Sequence, residues 1–209
     1  ALNWAKRTPV ADLRGRVALV TGARVKIGFH AALMLLRNGA HVIVTTRFPR
    51  DAAMRYAAEE DFADWHDRLE VMGLDLRHTP SVEAFARFMQ GHLSRLDFII
   101  NNACQTVRRP VGFYDHLMNG ESETLAELPA ATRTVLAAYE AMRDGKRLAA
   151  DSARGALLTA ANAVGLRDPA AMSQLTLLEE DLDRSTHLFP TGELDADLQQ
   201  IDLRDINSW

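Results

Sequence analysis

With 209 residues, 47% of them hydrophobic, the chain is long enough to bury a substantial core, and a formal net charge of −4 gives no reason to expect a nucleic-acid partner. No eighteen-residue apolar run and no signal-peptide pattern occurs, so a soluble cytoplasmic domain with no membrane association is expected. One cysteine excludes an internal disulfide framework, and the seven histidines lack zinc-ligand spacing, so no metal site is expected.

Residues 1–11 read as a lead-in to the domain, with Trp4 packing back on it. The first clear element is Val17-Ala-Leu-Val20, a continuous apolar run of the kind found in strands buried on both faces of a parallel sheet. Thr21 and Gly22 follow, then a helix from Ile27 to Asn38 that Gly39 ends. Strand, glycine turn and helix start in succession build a phosphate-binding corner. Glycine lets the backbone turn and approach a ligand, and the helix start directs free N–H groups and a positive dipole end toward it. On this reading a side chain at Gly22 blocks the pyrophosphate without unfolding the domain. Gly28 and Ala32 let the helix lie close to the sheet, and Leu33, Leu35 and Leu36 pack it there.

A second apolar strand, His41 to Thr46, completes a β-α-β unit of the length a dinucleotide site needs. A third segment, Leu69 to Leu76, carries Asp75 at its exit, and a fourth, Leu96 to Ala103, ends in the paired Asn101 and Asn102. The pattern predicts an α/β, Rossmann-type, doubly wound parallel sheet over residues 1–110.

These residues resemble the short-chain dehydrogenase/reductase family. Its Thr-Gly-x-x-x-Gly-x-Gly turn is matched by Thr21-Gly22-Ala23-Arg24-Val25-Lys26-Ile27-Gly28, its Asp-Leu/Val pair after the third strand by Asp75-Leu76, and its Asn-Asn-Ala-Gly by Asn101-Asn102-Ala103-Cys104. The resemblance covers roughly residues 11–110 and implies that Asp75 and Leu76 border the adenine, with Asn101, Asn102 and Ala103 on the ribose side. It further implies hydride transfer between a nicotinamide and a small carbonyl or alcohol substrate. Lys26 replaces the middle glycine and either adds a phosphate contact or marks a weakened site; retained binding is the expectation. Cys104 replaces the last glycine and reads as a small buried hydrophobe rather than a reactive thiol.

Cofactor choice follows from the end of the second strand. An acidic side chain there accepts from a ribose 2′-OH, whereas arginine accommodates a 2′-phosphate. Thr45-Thr46-Arg47 offers no carboxylate before Asp51, and Arg24 is a second cation, so NADP(H) is expected in preference to NAD(H). The alternative is that Arg47 and Arg50 form a solvated loop pair.

Catalytic residues are not legible. The family's Ser and Tyr-x-x-x-Lys have no counterpart at Tyr56, Tyr114 or Tyr139; Tyr139 is followed by Arg143, and Lys146 comes three residues too late. Tyr139 lies on the stripe Ala131, Val135, Ala138, Tyr139, Met142 and reads as core. Phe98 to Ile100 read as an interior strand, yet no clear apolar strand follows to cover its far side. The catalytic segment is therefore expected from a longer parent chain; the alternative function is a catalytically silent dinucleotide-binding sensor or scaffold.

Charge separates the halves. Residues 1–110 hold 16 Lys/Arg against 11 Asp/Glu, and residues 111–209 hold 8 against 17. The second half predicts a mainly helical, acidic extension: a helix from Pro129 to about Asp144, alanine-rich helical sequence over Ala149 to Val164, and an acidic helical pattern over Leu175 to Asp183. Asp195, Asp197, Asp202 and Asp205 read as a solvated acidic face rather than a divalent-ion site. This half is expected to act as a lid or as a packing or homo-oligomer element.

Overall fold

The four apolar segments become β1 (Val17–Thr21), β2 (His41–Thr46), β3 (Leu69–Gly73) and β4 (Phe98–Ile100) in a computed structural model that describes residues 11–104, 109–143, 164–176, 179–182 and 187–205. They form one parallel sheet in the order β3-β2-β1-β4, with Val17 beside His41, Val42 beside Leu69 and Ala18 beside Phe98. The chain runs outward from β1 through β2 to β3, then returns to place β4 on the opposite side of β1. The carboxyl ends of β1 and β4 thus flank a topological switch point, where open α/β sheets bind ligands.

Helices α1 (Lys26–Arg37), α2 (Pro49–Ala57) and α3 (Thr79–His92) supply the crossovers. Val42, Ile43 and Val44 are completely buried, which accounts for the run with no polar alternation in β2; in β1 Ala18 and Val20 are completely buried on one face, and Val17 and Leu19 are partly buried on the other. Glu70 on β3 is held between His41 Nε2 at 3.0 Å and His92 Nε2 at 2.7 Å, so a carboxylate is tolerated beside the core.

Beyond β4, a 3-10 turn (Val111–Tyr114) leads into α4 (Asp115–Ser122), followed by α5 (Ala130–Arg143), α6 (Val164–Arg167) and α7 (Pro169–Ser173). The expected helix from Pro129 is α5, and its stripe Val135, Leu136, Tyr139 and Met142 belongs to the same buried cluster as Val20, Val44 and Val71. Gly73 accommodates it: a Cβ there would lie 2.3 Å from the Tyr139 hydroxyl oxygen. A second cluster, Phe48, Phe113, Tyr114, Leu117, Ala170 and Phe189, joins the exit of β2 to the later segments.

Despite its interior composition, β4 is an edge strand among the described residues. It pairs only with β1, and Phe98 and Ile99 are 40% and 57% exposed. The lead-in with Trp4, and the helical reading of Ala149 to Val164 up to residue 163, lie outside the described residues; of Leu175 to Asp183, a 3-10 turn (Glu179–Leu182) is described. No helix among the described residues is long and apolar enough to cross a membrane.

Candidate functional site

The exits of β1 and β4 are laced together by the residues the turn motif predicts. Asn102 Nδ2 donates to the carbonyls of Thr21 (3.2 Å) and Gly22 (3.1 Å), and the Ala103 amide donates to Thr21 Oγ1 at 3.0 Å. Gly22 has φ +65°, and its amide donates to the Thr45 carbonyl at 2.9 Å. A Cβ on Gly22 would meet Ala103 Cα at 2.7 Å, and one on Gly28 would meet the Gly22 carbonyl oxygen at 2.6 Å. Thr21, Gly22, Gly28, Asn102 and Ala103 therefore form one close-packed corner.

The start of α1 opens onto this corner. Val25 is its N-cap, no side chain caps it and its first turn has no acid, so its leading amides lack side-chain acceptors. Ile27 beside them is 78% exposed. A corner with uncapped amides and an exposed apolar residue fits a phosphate-bearing dinucleotide. Lys26 adopts φ +55°, the left-handed region that the glycine of the motif would occupy without strain. Its Nζ is 3.9 Å from Asp197 Oδ2, and both side chains are well exposed, so the pair restrains it weakly. Relieving the backbone strain by Lys26→Gly is expected to stabilise the fold by roughly 1 kcal/mol, read as a raised urea midpoint.

The two predicted arginines part company. Arg24 is buried; it donates to Asp51 Oδ2 at 2.7 Å and to Gln199 Oε1 at 3.4 Å, and lies against the Phe48 ring. Arg55 Nε donates to the same Asp51 oxygen at 2.6 Å. Burial alone would raise the Asp51 carboxyl, but the two guanidinium groups outweigh it and hold it below its ordinary value. Arg47 makes no ion pair among the described residues; its guanidinium sits 4.6 Å from the Tyr114 ring centroid and 5.5 Å from that of Phe48. Arg50 is not its solvated partner. It is buried at the start of α2, with Nη2 3.6 Å from Glu140.

Asp75 is buried and held by Arg77, whose amide donates at 2.9 Å and whose Nη2 donates at 2.6 Å. Burial tends to raise its carboxyl, and Arg77 outweighs that and lowers it. Leu76 and Asn101 are exposed at the strand exits. Cys104 is exposed rather than buried; it follows β4, which among the described residues pairs with β1 alone.

All three tyrosines are packed in the buried clusters. Tyr56 donates to the Ala23 carbonyl at 2.7 Å and props the glycine turn from below, while Tyr139 donates to Leu166 at 2.9 Å. Burial pushes both phenols up, opposite to the shift a proton-transferring tyrosine needs. Tyr114 stacks on Phe48 beneath Arg47.

Sequence reasoning missed the loop at residues 194–200. Asp195 Oδ1 accepts from the amides of Asp197 and Gln199, both at 2.9 Å, and Arg55 donates to the carbonyls of Asp197 and Leu198 at 2.6 and 2.8 Å. The loop is thereby tied to α2 beside the glycine turn. Asp202 is also no solvated acid: it is buried against Arg109 and Arg204. The aspartates two residues ahead of a turn amide carried the local signal for this loop, but its anchorage to Arg55 is long-range.

The model of the family described as short chain dehydrogenase matches residues 16–147. A Bos taurus protein named dehydrogenase/reductase SDR family member 13 is 38% identical over 115 residues, covering 52% of this chain and 30% of its own length. A mimivirus protein, uncharacterized protein R665, is 37% identical over 102 residues, 46% of this chain and 22% of that protein. This chain thus spans less than a third of the length of either relative. The NADP-bound N-domain of a bacterial malonyl-CoA reductase is similar over 68% of this chain and 27% of its own, at a TM-score of 0.38 and 28% identity. With the glycine turn, the Asp75 exit and the Asn101-Asn102 exit all set on a parallel sheet, and the family model matching more than half of the chain, this protein belongs to the short-chain dehydrogenase family.

Proposed function

We propose that the protein binds NADP(H) in the crevice between the β1 and β4 exits and forms the cofactor-binding part of an oxidoreductase acting on a carbonyl or alcohol. The observation that carries this reading is Arg47. Among the cations at the strand exits, Arg24 is paired with Asp51 and Lys26 lies near Asp197, whereas Arg47 is held on an aromatic platform with no ion pair among the described residues, Asp75 acting on it only at longer range. A planar guanidinium so held suits a 2′-phosphate. The leading amides of α1 would meet the pyrophosphate, with Lys26 free to add charge, and Asn101 to Ala103 would border the ribose. Asp75 would shape the adenine side through backbone and packing, since its carboxylate is taken by Arg77.

The bound cofactor would supply the hydride; the proton would come from elsewhere, because the Tyr56 and Tyr139 hydroxyls are bonded to backbone carbonyls and Tyr114, stacked on Phe48, has Met118 and no lysine four residues on. In this reading the serine, tyrosine and lysine come from a longer parent polypeptide, which would also cover the exposed β4 edge. The segment after residue 110 serves to complete the core and to hold Arg47, rather than as a separate lid. The occupied tyrosines also favour a second reading, a dinucleotide-binding module with no turnover. Titration of NADPH and NADH by fluorescence tests the cofactor, and turnover of a carbonyl panel by the full-length parent separates the two readings. Binding of neither nucleotide would defeat both.

A further inference from the structure

A cleft of about 210 Å³ opens between the start of α2 and the α6–α7 corner, lined by Arg50, Glu121, Arg143, Arg167 and Asp168 among others. Its carboxylates do not match its arginines. Glu121 accepts from the backbone amides of Arg50 (3.2 Å) and Asp51 (2.8 Å), so it caps α2 instead of pairing with a side chain. Glu140 is engaged by Arg143 Nη1 at 3.1 Å and lies 3.6 Å from Arg50 Nη2, beyond hydrogen-bond reach. Arg50 is nine-tenths buried, and its Nε has no hydrogen-bond partner among the described residues. The one ion pair of Arg50 among the described residues is that with Glu140, and Arg167 forms none among them. A buried guanidinium N–H without an acceptor is costly and marks a place where an acceptor belongs.

We propose that this cleft is a second binding site, separate from the nucleotide corner, that takes the oxyanion group of a small phosphate or carboxylate on Arg50 and Arg167. The fork geometry of guanidinium suits both anions, and the small volume admits the anionic group of a metabolite rather than a whole dinucleotide. Glu121 sets the pH response. Burial raises its carboxyl to about 7, against the pull of the two amides and Arg50, with Asp51 adding to the rise. Glu140 and Arg143 from α5, and Arg167 and Asp168 from the α6–α7 corner, also line or flank the cleft. Above pH 7 the ionised Glu121 repels the anion; below it the neutral carboxyl does not.

The test is calorimetric titration of the 209-residue chain with inorganic phosphate and, separately, acetate, at pH 6 and pH 8. Saturable binding of one or both is expected, tighter at pH 6, and the stronger of the two identifies the ligand class. Arg50→Gln and the more accessible Arg167→Gln should each weaken it about ten-fold. Glu121→Gln should tighten binding at pH 8 and flatten the pH dependence. Absence of saturable binding, or binding unaltered in both Arg167→Gln and Arg50→Gln, would overturn the proposal; the latter would place the anion at the nucleotide corner.

Discussion

Arg47→Ala is expected to lower NADP(H) affinity about ten-fold or more while leaving NAD(H) affinity nearly unchanged, because a charge-assisted contact to the 2′-phosphate is worth on the order of 1.5–3 kcal/mol. The side chain is suited to such a contact by its platform: the Tyr114 ring lies 4.6 Å below it and Phe48 stacks on Tyr114 at 5.1 Å. The effect should fall with salt, since the guanidinium is only half-buried. Fluorescence titration of both cofactors against both proteins checks it. Equal affinity of the wild type for NADP(H) and NAD(H) would remove Arg47 from the 2′-phosphate.

Gly22→Val is expected to destabilise the whole domain by roughly 3 kcal/mol, not merely to obstruct a ligand. The backbone there has φ +65°, where a β-branched residue costs on the order of 1–2 kcal/mol. Its Cβ would also lie 2.7 Å from Ala103 Cα, and overpacking against backbone adds about 1–3 kcal/mol. Asn102 and Ala103 hold that backbone to β1, so the neighbour cannot simply withdraw. The readout is a urea transition with its midpoint sharply lowered. An unchanged midpoint together with lost cofactor binding would restore the simpler view drawn from the turn motif alone, that this glycine serves only the approach of pyrophosphate.

That difference over Gly22 shows where sequence reading stops. The residue type, its place between strand and helix, and its need for a left-handed backbone are local properties, legible in Val17 to Gly28. That β4 presses Ala103 against it is a property of strand order, which no local pattern specifies.

The sequence by itself determined the units whose signal is local: the continuous apolar runs of β1 and β2, the amphipathic α1 and α5, and the glycine corner between β1 and α1. These follow from unbroken apolar runs, from side-chain spacing against a 3.6 repeat, and from the sterics of glycine. Only the tertiary structure decided which charges remain available. Arg24 and Arg47 look equivalent along the chain, yet Asp51, in the first turn of α2, pairs with the first, while Tyr114, from beyond β4, supports the second. Asp75 spends its carboxylate on Arg77, and the aspartates at 195 and 202 are occupied in shaping and burying the later segments. The physical reason is common to all of them: the free energy of a partly buried charge depends on the partner within about 4 Å, and that partner is chosen by the packing of distant elements rather than by neighbours in sequence.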